Sequence, residues 1–475
     1  MIKSPGLNKK NARHLAFIAL KSVHKDAFTD VALDQVLSHS DLNPLDRGLV
    51  TELVYGSVRR MRTLDAIIDQ IAQKKSADQP PDLRTLLHLG LYQLRYLNNI
   101  PESAAVNTTV ELAKISSFSG LSGVVNGILR QYIRLKAINP DPLILPDNPI
   151  QKLGILYSFP DGIIDLWLTQ FGFEQTENIC QWMNQTPSID LRVNILKSSL
   201  ESVENLMLKN SISVNRVHHL PQCLRLTENA GAIYNLPGFK EGLFVVQDSS
   251  AQLVAHLLDP QPGEIIIDGC AAPGGKTTHI VELMGDNGTV WGCDRTESRL
   301  KKLKQNAQRL QLNSIKVYIG DSRNIPQFTN IADRVLLDVP CSGNGTLHRH
   351  PDARWRYNSS HIQELCTLQR ELLNHGATWV KNHGFLVYAT CTLNPQENED
   401  IINDFLAHNP DWQIVNLAEN DPLKMFQNQE GWMKILPNQY NMDGFFMVKL
   451  QKKLEKSFQI RLRQSQTEGD RLPKS

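Results

Sequence analysis

The sequence lacks the features that mark a secreted, disulfide-bonded or membrane-spanning protein. It has seven cysteines, an odd number, and no C-x-x-C pair, which argues against a disulfide framework or a zinc site and favours reduced thiols in the cytoplasm. No apolar run approaches the roughly 18 residues that a spanning helix needs. The N-terminal MIKSPGLNKKNARHLAF has no long apolar core, so no secretion signal is expected.

An excess of charge of one sign is also missing. Fifty Lys and Arg residues face 49 Asp and Glu residues, and the formal net charge is +1. No global field therefore draws the protein onto nucleic acid, and any RNA binding must come from local basic patches. The 475 residues, 41% of them hydrophobic, suffice for about two to four globular domains.

Strand-like alternation is scarce in residues 11–135, where helical spacing dominates. The apolar residues of ARHLAFIALKSV (12–23) share one helical face, and similar patterns follow in LRTLLHLGLYQLRYL (83–97), AAVNTTVELAKI (104–115) and GVVNGILRQYIRLK (123–136). We therefore predict an all-helical domain over residues 1–137. Within it, RGLVTELVYGSVRRMR ends in Arg59, Arg60 and Arg62, which form either a solvated helix face or a patch that contacts phosphates.

A proline-rich stretch follows the helical region. INPDPLILPDNPI contains four prolines, which disfavour helix and predict an extended linker and a domain boundary at 138–150. Residues 151–245 then mix a helix that ends at Gly172, a strand in SIDLRVNIL and a helix in SLESVENLMLKN. This mixture predicts a small α+β module over residues 151–245.

Strands and helices alternate from residue 246 to 451. The predicted strands are EIIIDG (264–269), GTVWGCD (288–294), IKVYIGD (315–321), RVLLDVP (334–340) and GFLVYATC (384–391). Such alternation predicts an α/β domain with a doubly wound, mostly parallel sheet, in which ligands bind beyond the carboxyl ends of the strands. LPNQYNMDGFFMVKL is predicted to form a closing hairpin, and residues 452–475 a basic, disordered tail.

The loop after the first of these strands, DGCAAPGGKTT (268–278), resembles a phosphate-binding loop in its second half. The phosphate loop requires glycine at position 270, where this chain has Cys270, and the G-x-G-x-x-G of dinucleotide sites is absent. Asp294 and Asp321 end the next two strands, where carboxylates suit ribose hydroxyls and an adenine edge. The pattern favours S-adenosylmethionine held in the loop, with a nucleoside triphosphate as the alternative.

Two cysteines stand at the ends of the last two predicted strands. Asp338, Pro340 and Cys341 follow one strand, and Cys391 ends the next; neighbouring strands lie about 5 Å apart. A thiolate that adds to carbon 6 of cytosine makes carbon 5 nucleophilic, and a carboxylate can hydrogen-bond N3 while a second thiol assists release. The arrangement therefore points to covalent methylation of cytosine.

The remaining cysteines and the histidines suggest no further chemistry. Cys180, Cys223, Cys293 and Cys366 are expected to be buried small hydrophobes, and Cys270 to pack the loop. His348, His350 and His361 have no metal-ligand spacing and are expected at the surface or facing RNA. The basic segment HRHPDARWR (348–356) either contacts RNA through residues such as Trp355 or packs against the protein.

At these residues the sequence resembles the NOL1/NOP2/Sun family of RNA cytosine-C5 methyltransferases. DGCAAPGGKT, DVPCSGNGT and YATCTLNPQENE are similar to its motifs, LRVN (191–194) to a segment of its middle module, and LDRGLVTELVYGSVRR with IPESAAVNTTVELAK to a NusB-type RNA-binding fold. The resemblance implies that Cys391 is the nucleophile, that Cys341 assists product release and that Asp338 serves both the base and the cofactor. The implied S-adenosylmethionine contacts are Cys270, Ala271, Ala272, Pro273, Gly274, Gly275, Lys276, Asp294, Asp321 and Asp338.

The pairing with a NusB-like domain is similar to the bacterial branch that acts on 16S ribosomal RNA, and it implies a cytoplasmic monomer with no metal. PNQYNM stands where relatives often have a histidine, at a position outside the implied catalytic set. DNA cytosine-C5 methyltransferases use the Pro-Cys cysteine, which by analogy makes Cys341 the alternative nucleophile. A phosphate-loop NTPase that depends on Lys276, a non-enzymatic RNA-binding factor, and an enzyme for transfer RNA or DNA are further alternatives.

Overall fold

The computed structural model describes residues 11–116, 118–227 and 231–453. Most of the predicted tail, from residue 454 onward, lies outside this part of the chain. The described residues form two compact units: unit 1 runs to Thr186 and includes Leu347–Tyr357, and unit 2 comprises Pro187–Thr346 and the chain from Asn358. None of the described helices is long and apolar enough to cross a membrane.

Unit 1 is helical throughout its described residues. Its helices are α1 Ala12–Val23, α2 Thr29–Ser38, α3 Pro44–Arg59, α4 Met61–Ile71, α5 Pro81–Tyr96, α6 Glu102–Ile115, α7 Ser122–Ile138, α8 Pro149–Tyr157 and α9 Asp161–Trp182. The side chains of Asn11 and Asn43 accept hydrogen bonds from backbone N–H groups at the starts of α1 and α3, as expected of N-caps. Gly172, with φ 73°, interrupts α9 at the position where a helix end was predicted.

The predicted linker differs from the structure at its end. Helix α8 begins at Pro149, because the first helical position needs no N–H donor and suits the fixed φ of proline. Thr63 of α4 donates to the carbonyl of Ile155 in α8 at 2.6 Å, so α8 packs with the preceding helices. The two compact units divide after Thr186, and the domain boundary at residues 138–150 remains a prediction.

Unit 2 contains a small antiparallel sheet and a large mixed sheet. The small sheet has the strands β1 Ile189–Val193, β2 Val214–Arg216, β3 Cys223–Leu226 and β4 Phe244–Val246, in the order β2-β3-β1-β4, with helix α10 Leu200–Lys209. Leu191 and Val193 of β1 pack with Val203 and Met207 of α10 in its apolar core. The predicted helix, α10, lies between β1 and β2 in the chain.

The large sheet has eight strands in the order β10-β12-β9-β8-β5-β6-β7, with β11 beside β12. The strands are β5 Ile265–Asp268, β6 Thr289–Asp294, β7 Ile315–Ile319, β8 Ala332–Asp338, β9 Val380–Thr390, β10 Trp412–Ile414, β11 Met433–Ile435 and β12 Phe445–Lys452. The helices are α11 Ser249–Leu258, α12 Gly275–Leu283, α13 Glu297–Leu310, α14 Ser359–Trp379, α15 Glu399–His408 and α16 Pro437–Tyr440.

Strands β5 to β9 run parallel, and β12 pairs antiparallel with β9. The predicted closing hairpin is wrong in one respect: residues 437–440 form the short helix α16, and β12 pairs with β11, which precedes this segment, as well as with β9 and β10. Pro437 starts this turn of helix, which the strand pattern did not anticipate. The strand order places β8 and β9 side by side. The chain adds β6 and β7 on one side of β5 and then β8 and β9 on the other, so the topological switch point lies between β5 and β8.

Candidate active site

A pocket of about 330 Å³ opens at the carboxyl ends of the parallel strands. Seven of the residues predicted from the sequence line it: Cys270, Ala272, Asp294, Asp321, Asp338, Cys341 and Cys391. They come from the ends of five different strands or the loops that follow them, which is where ligands bind in such sheets. The pocket therefore joins the predicted cofactor residues to the predicted catalytic residues.

The glycine loop forms one wall of this pocket between β5 and α12. Gly274 has φ 106°, and a Cβ built on it would lie 2.5 Å from Leu303 Cδ1, so only glycine fits this turn without displacing α13. Ala271 packs in a small cluster with Leu300 and Leu303. The loop is thereby pressed against α13, and its following helix begins at Gly275.

Asp268 anchors the base of the loop. It is 1% exposed, and its carboxylate accepts hydrogen bonds from Thr277 Oγ1 at 2.6 Å and from the backbone N–H of Cys270 at 3.3 Å. Burial raises the pKa of Asp268 to about 7, although the hydrogen bond from Thr277 opposes this shift. Burial also raises the pKa of Cys270 well above its usual value, so this thiol stays neutral, as a packing residue would.

Cys341 and Cys391 meet at the ends of β8 and β9. Asp338 of β8 is in register with Ala389 of β9, and the two Sγ atoms lie 3.4 Å apart without a disulfide. The hydrogen bond with Cys391, burial and the proximity of the Cys391 sulfur raise the pKa of Cys341 well above its usual value. The two thiols are thus close enough to act on the same substrate base.

A buried carboxylate that the sequence reasoning missed joins the two cysteine loops. Glu397 is 0% exposed, and it accepts hydrogen bonds from the backbone N–H of Ser342 at 2.7 Å and from Gln369 Nε2 at 3.2 Å. Asn344 accepts from Thr392 Oγ1 at 2.9 Å and from the backbone N–H of Leu393 at 2.6 Å. Both residues lie in the motifs that contain the two cysteines, and this position is the signal by which the sequence could have identified them.

Two glycines allow these loops to approach each other. A Cβ on Gly345 would lie 2.1 Å from the carbonyl oxygen of Gly444 and 2.8 Å from that of Cys391. The backbone N–H of Gly345 donates to the carbonyl of Cys391 at 3.0 Å, and that of Gly444 donates to Gly345 at 2.8 Å. Close backbone packing therefore holds Cys391 against the loop that follows Cys341.

Lys276 binds Asp338 across the pocket edge. Its Nζ lies 2.6 Å from Asp338 Oδ2 and 5.1 Å from the centre of the Phe445 ring. Burial alone would lower the pKa of Lys276, but the Asp338 carboxylate raises it above its usual value. Lys276 therefore stays charged and holds Asp338 in place, rather than facing a triphosphate.

The two acidic strand ends are held by arginines. Asp294 is 6% exposed and lies 3.1 Å from Arg299 Nη1. Asp321 Oδ2 lies 2.6 Å from Arg323 Nη2. The hydrogen bonds from Arg323 lower the pKa of Asp321 to about 2, so its carboxylate is ionised at neutral pH.

The remaining predicted cofactor residues do not line the pocket themselves. Ala271, Pro273, Gly274, Gly275 and Lys276 shape the loop or contact Asp338 from behind it. The pocket is completed by residues that the sequence reasoning missed, among them Arg295, Arg299, Ser322, Leu368 and Leu372. The first three lie close to predicted strand ends, whereas the leucines of α14 carry no local signal.

The arginines at the end of α3 are engaged within unit 1. Arg59 is 8% exposed and donates to the carbonyl of His348 at 2.9 Å. Arg62 pairs with Asp161 at 2.6 Å, and Arg60 lies over the Tyr96 ring at 4.8 Å. The interpretation of these residues as a solvated helix face is therefore wrong for Arg59.

The segment 347–357 packs within unit 1 as well. Arg354 is fully buried and donates to the carbonyls of Arg59 and Ser158, both at 3.1 Å. Trp355 Nε1 donates to the carbonyl of Val58 at 2.9 Å. His348, expected at the surface, is 2% exposed, because its ring packs 4.4 Å from that of Trp182. These contacts favour the packing interpretation of HRHPDARWR.

Within the described ranges, no group of three or more His, Cys, Asp or Glu side chains is arranged to hold a metal ion. The pocket is lined by three thiols, three carboxylates and part of the glycine loop. This set suits a small organic ligand with hydroxyl groups and a positive centre.

Sequence models of known families match three stretches of the chain. The model described as 16S rRNA methyltransferase RsmB/F matches residues 255–451, the NusB family matches residues 10–134, and the ferredoxin-like domain of RsmF/B-like methyltransferases matches residues 159–232. The order of these matches confirms the predicted fold class. The predicted domain boundaries remain predictions.

Curated relatives are similar over nearly their whole length. A probable ribosomal RNA small subunit methyltransferase B from Synechocystis is 48% identical over 93% of this chain and 99% of its own. The probable enzyme of the same name from Bacillus subtilis is 34% identical over 94% of this chain and 100% of its own. The similarity therefore includes both compact units.

Solved structures show the same architecture. The crystal structure of PH0851 is 27% identical, covers 95% of this chain and 100% of that chain, and superposes with a TM-score of 0.78. A methyltransferase homologue from Pyrococcus horikoshii is 29% identical, covers 65% of this chain and 100% of that chain, and has a TM-score of 0.57.

Proposed function

Because the chain belongs to the RsmB/F family of 16S rRNA methyltransferases, we propose that it methylates carbon 5 of a cytosine in 16S rRNA through a covalent cysteine adduct. The observation that carries this proposal is the convergence of Cys341, Cys391 and Asp338 on the pocket that the glycine loop also lines. A site with two adjacent thiols and a carboxylate suits covalent activation of a pyrimidine.

S-adenosylmethionine, when bound, supplies the methyl group as an electrophilic sulfonium. The residues present fit it: Cys270 and Ala272 of the glycine loop line the pocket, and the start of α12 suits a carboxylate. Asp294 lies where ribose hydroxyls would be bound, and Asp321 where the adenine edge would be bound. The carboxylates of the pocket also favour a ligand with a positive centre.

Cys391 acts as the nucleophile in this proposal. Its thiolate forms a bond with carbon 6 of the cytosine, and the electrons of the ring double bond make carbon 5 nucleophilic. Contact with Cys391 and burial raise the pKa of Cys341; the attack is assigned to Cys391 because it stands in the Thr-Cys motif. The alternative assignment, attack by Cys341, predicts the opposite pattern of trapped adducts.

Asp338 and Lys276 are proposed to stabilise the negative charge that develops on the base. Asp338 is proposed to hydrogen-bond N3 of the cytosine, and the Lys276 ammonium lies 2.6 Å behind it. For this bond Asp338 carries the proton and donates it to N3 as negative charge builds on the ring, and the Lys276 ammonium stabilises the carboxylate that remains. Asp338 is thus proposed as a contact for the base as well as a wall of the cofactor site.

Release requires the second thiol. After methyl transfer, the proton on carbon 5 leaves to a base, the double bond re-forms, and the bond between carbon 6 and the Cys391 sulfur breaks. The Cys341 thiol, 3.4 Å from that sulfur, can donate a hydrogen bond to the departing thiolate. Loss of Cys341 should therefore stall the reaction after the adduct has formed.

Adduct trapping tests the two roles directly. Purified protein is incubated with 16S rRNA and S-adenosylmethionine, and protein–RNA adducts are separated on a denaturing gel. We expect Cys341→Ser to accumulate an adduct and Cys391→Ala to form none, with Cys180→Ala, a buried residue of unit 1, behaving as wild type. An adduct in Cys391→Ser but not in Cys341→Ser would reverse the assignment.

The site of methylation is tested on the product. Nucleoside analysis of methylated 16S rRNA should show 5-methylcytidine, and bisulfite sequencing of rRNA from cells without the protein should show one lost mark. If no rRNA cytosine loses its mark, the substrate proposal is wrong. Magnesium-dependent ATP hydrolysis that requires Lys276, without retention of S-adenosylmethionine, would instead support the NTPase alternative.

A further inference from the structure

Arg192, on β1 of the small sheet, has a fully buried side chain. Its guanidinium has five N–H donors, and each has an acceptor. Nε donates to Glu282 Oε2 at 3.0 Å, and Nη2 donates to Glu282 Oε1 and Thr278 Oγ1, both at 2.9 Å. Nη1 donates to the carbonyl of Gly275 at 2.6 Å and to Gln247 Oε1. A guanidinium in this state has no rotational freedom left.

Four of these five acceptor atoms belong to three residues of α12, the helix that begins immediately after the glycine loop. Gly275 is its first residue, and Thr278 and Glu282 lie on its next turns. Thr278 Oγ1 also donates back to the carbonyl of Gly274 at 2.9 Å. Arg192 therefore fixes the direction of α12 at the point where the loop wall of the pocket ends.

Stability alone explains this arrangement poorly. Glu282 is 1% exposed, and burial raises its pKa although Arg192 opposes the shift. A buried ion pair is often no more stabilising than apolar side chains of similar volume. What a guanidinium adds is a planar fork with fixed geometry, which defines an orientation rather than a packing energy.

We propose that Arg192 is a positioning residue for the methyl-donor loop. Resting on the proposed function, the inference is that the small sheet serves the cofactor site and holds α12 so that the loop can receive S-adenosylmethionine. Arg192 does not line the pocket, so it acts through α12. Its loss should raise the KM for S-adenosylmethionine more than it lowers kcat at saturation.

The main experiment replaces both members of the ion pair. Arg192→Met alone would leave the buried Glu282 unpaired and could unfold the protein, so Arg192→Met is combined with Glu282→Met. We expect the double variant to raise the KM and the Kd for S-adenosylmethionine about tenfold, since small displacements of a binding loop are costly. We expect kcat at saturating S-adenosylmethionine to change less than about threefold.

The matched control is a second ion pair in unit 2. Arg334 is 6% exposed, and its Nε lies 2.8 Å from Glu264 Oε2, near the starts of β8 and β5. Arg334→Met combined with Glu264→Met should alter the melting temperature without a change in the KM for S-adenosylmethionine. An equal rise in KM in this control would show that the effect is merely structural and would overturn the proposal.

A more conservative variant keeps the inference testable if the double variant does not fold. Arg192→Lys keeps a charge opposite Glu282 but has at most three donors. We expect it to fold and to raise the KM for S-adenosylmethionine about threefold. An unchanged KM in Arg192→Lys, or in a folded double variant, would overturn the inference.

The wild-type protein separates this inference from the proposed function. Calorimetry with S-adenosylmethionine and the wild-type protein is performed first. If the wild type binds no S-adenosylmethionine, the proposed function fails; if it binds and the variants bind equally well, only the role of Arg192 fails.

Discussion

The two halves of the pocket are held in place by different kinds of contact. In the cysteine half, Glu397 is fully buried and binds the loop of Cys341 through the backbone N–H of Ser342. In the acidic half, Asp294 is bound by Arg299, whose side chain is 58% exposed. The first half is preorganised, whereas the second can exchange its protein partners for a ligand.

The energetic consequences of the two arrangements differ. Leaving a buried hydrogen-bonding group unpaired costs about 1–3 kcal/mol, so the network of Glu397, with its several donors, resists rearrangement. Exposed ion pairs contribute about 0–1 kcal/mol, so the contact of Asp321 with Arg323 can open at little cost, while Asp294 is itself buried and only its partner Arg299 is exposed. The comparison predicts large effects of substitution in the cysteine half and graded effects in the acidic half.

The largest effect is expected at Glu397. Glu397→Ala removes the acceptor for Ser342, Gln369 and Asn394 and should misplace the loop of Cys341. We expect kcat to fall by about two orders of magnitude, since catalysis is sensitive to displacements of about 1 Å. The KM for S-adenosylmethionine should stay within about threefold, as measured by steady-state kinetics.

The matched control for Glu397 is Glu264→Ala, which removes a carboxylate near the starts of β5 and β8, whereas the pocket lies at the other ends of these strands. A similar loss of kcat in this control would mean that Glu397 acts only through stability. Equal values of kcat in Glu397→Ala and the wild type would show that the cysteine half of the pocket is not more sensitive to substitution than the acidic half.

A smaller effect is expected at Asp294. Asp294→Asn keeps the size of the side chain but removes the charge that is proposed to accept from ribose hydroxyls. We expect the Kd for S-adenosylmethionine to rise about tenfold, which corresponds to about 1.4 kcal/mol, with kcat at saturation little changed. Calorimetric titration is the measurement, and an unchanged Kd would place the ribose elsewhere.

The smallest effect is expected at Arg323. At pH 7, Arg323→Ala should change the Kd for S-adenosylmethionine less than about twofold, because the exposed pair contributes little. Arg323 lowers the pKa of Asp321 to about 2, so the wild-type carboxylate stays charged as the pH falls from 6 to 4. In Arg323→Ala the pKa of Asp321 should return toward about 4, and affinity should begin to fall within this window.

Binding titrations of the wild type and Arg323→Ala at several pH values test this difference. Arg370→Ala, which removes an arginine from another exposed ion pair, that with Asp404, is the matched control. The same pH dependence in the wild type and in Arg323→Ala would show that Asp321 does not contact the cofactor.

Much of the fold could be read from sequence patterns because those patterns are local. The alternation of apolar strands and amphipathic helices predicted the parallel strands within a few residues of β5, β6 and β7. The pattern was weaker where a proline starts a helix: Pro149 and Pro437 both occupy the first turn of one. A first-turn proline looks like a break unless the chain after it is known to be helical.

The candidate site was predicted unevenly. Cys341 and Cys391 stand at strand ends, and the order of the strands made them neighbours. Arg299 and Arg323 were missed as partners of the acidic residues, since any of the nearby basic side chains could have paired with them. His348 was misplaced because a histidine in a basic segment looks exposed, whereas the Trp182 ring covers it.

The sequence by itself determined the kind of domain, the strand ends at which Asp294, Cys341 and Cys391 lie, and the glycine loop, because side-chain periodicity and the end of a strand are properties of a few adjacent residues. Only the tertiary structure decided that the two sulfurs lie 3.4 Å apart and that Arg192 binds Gly275, 83 residues further along the chain. Such contacts depend on which strands and helices become neighbours and on which partner satisfies a buried polar group, and neither is specified by local spacing.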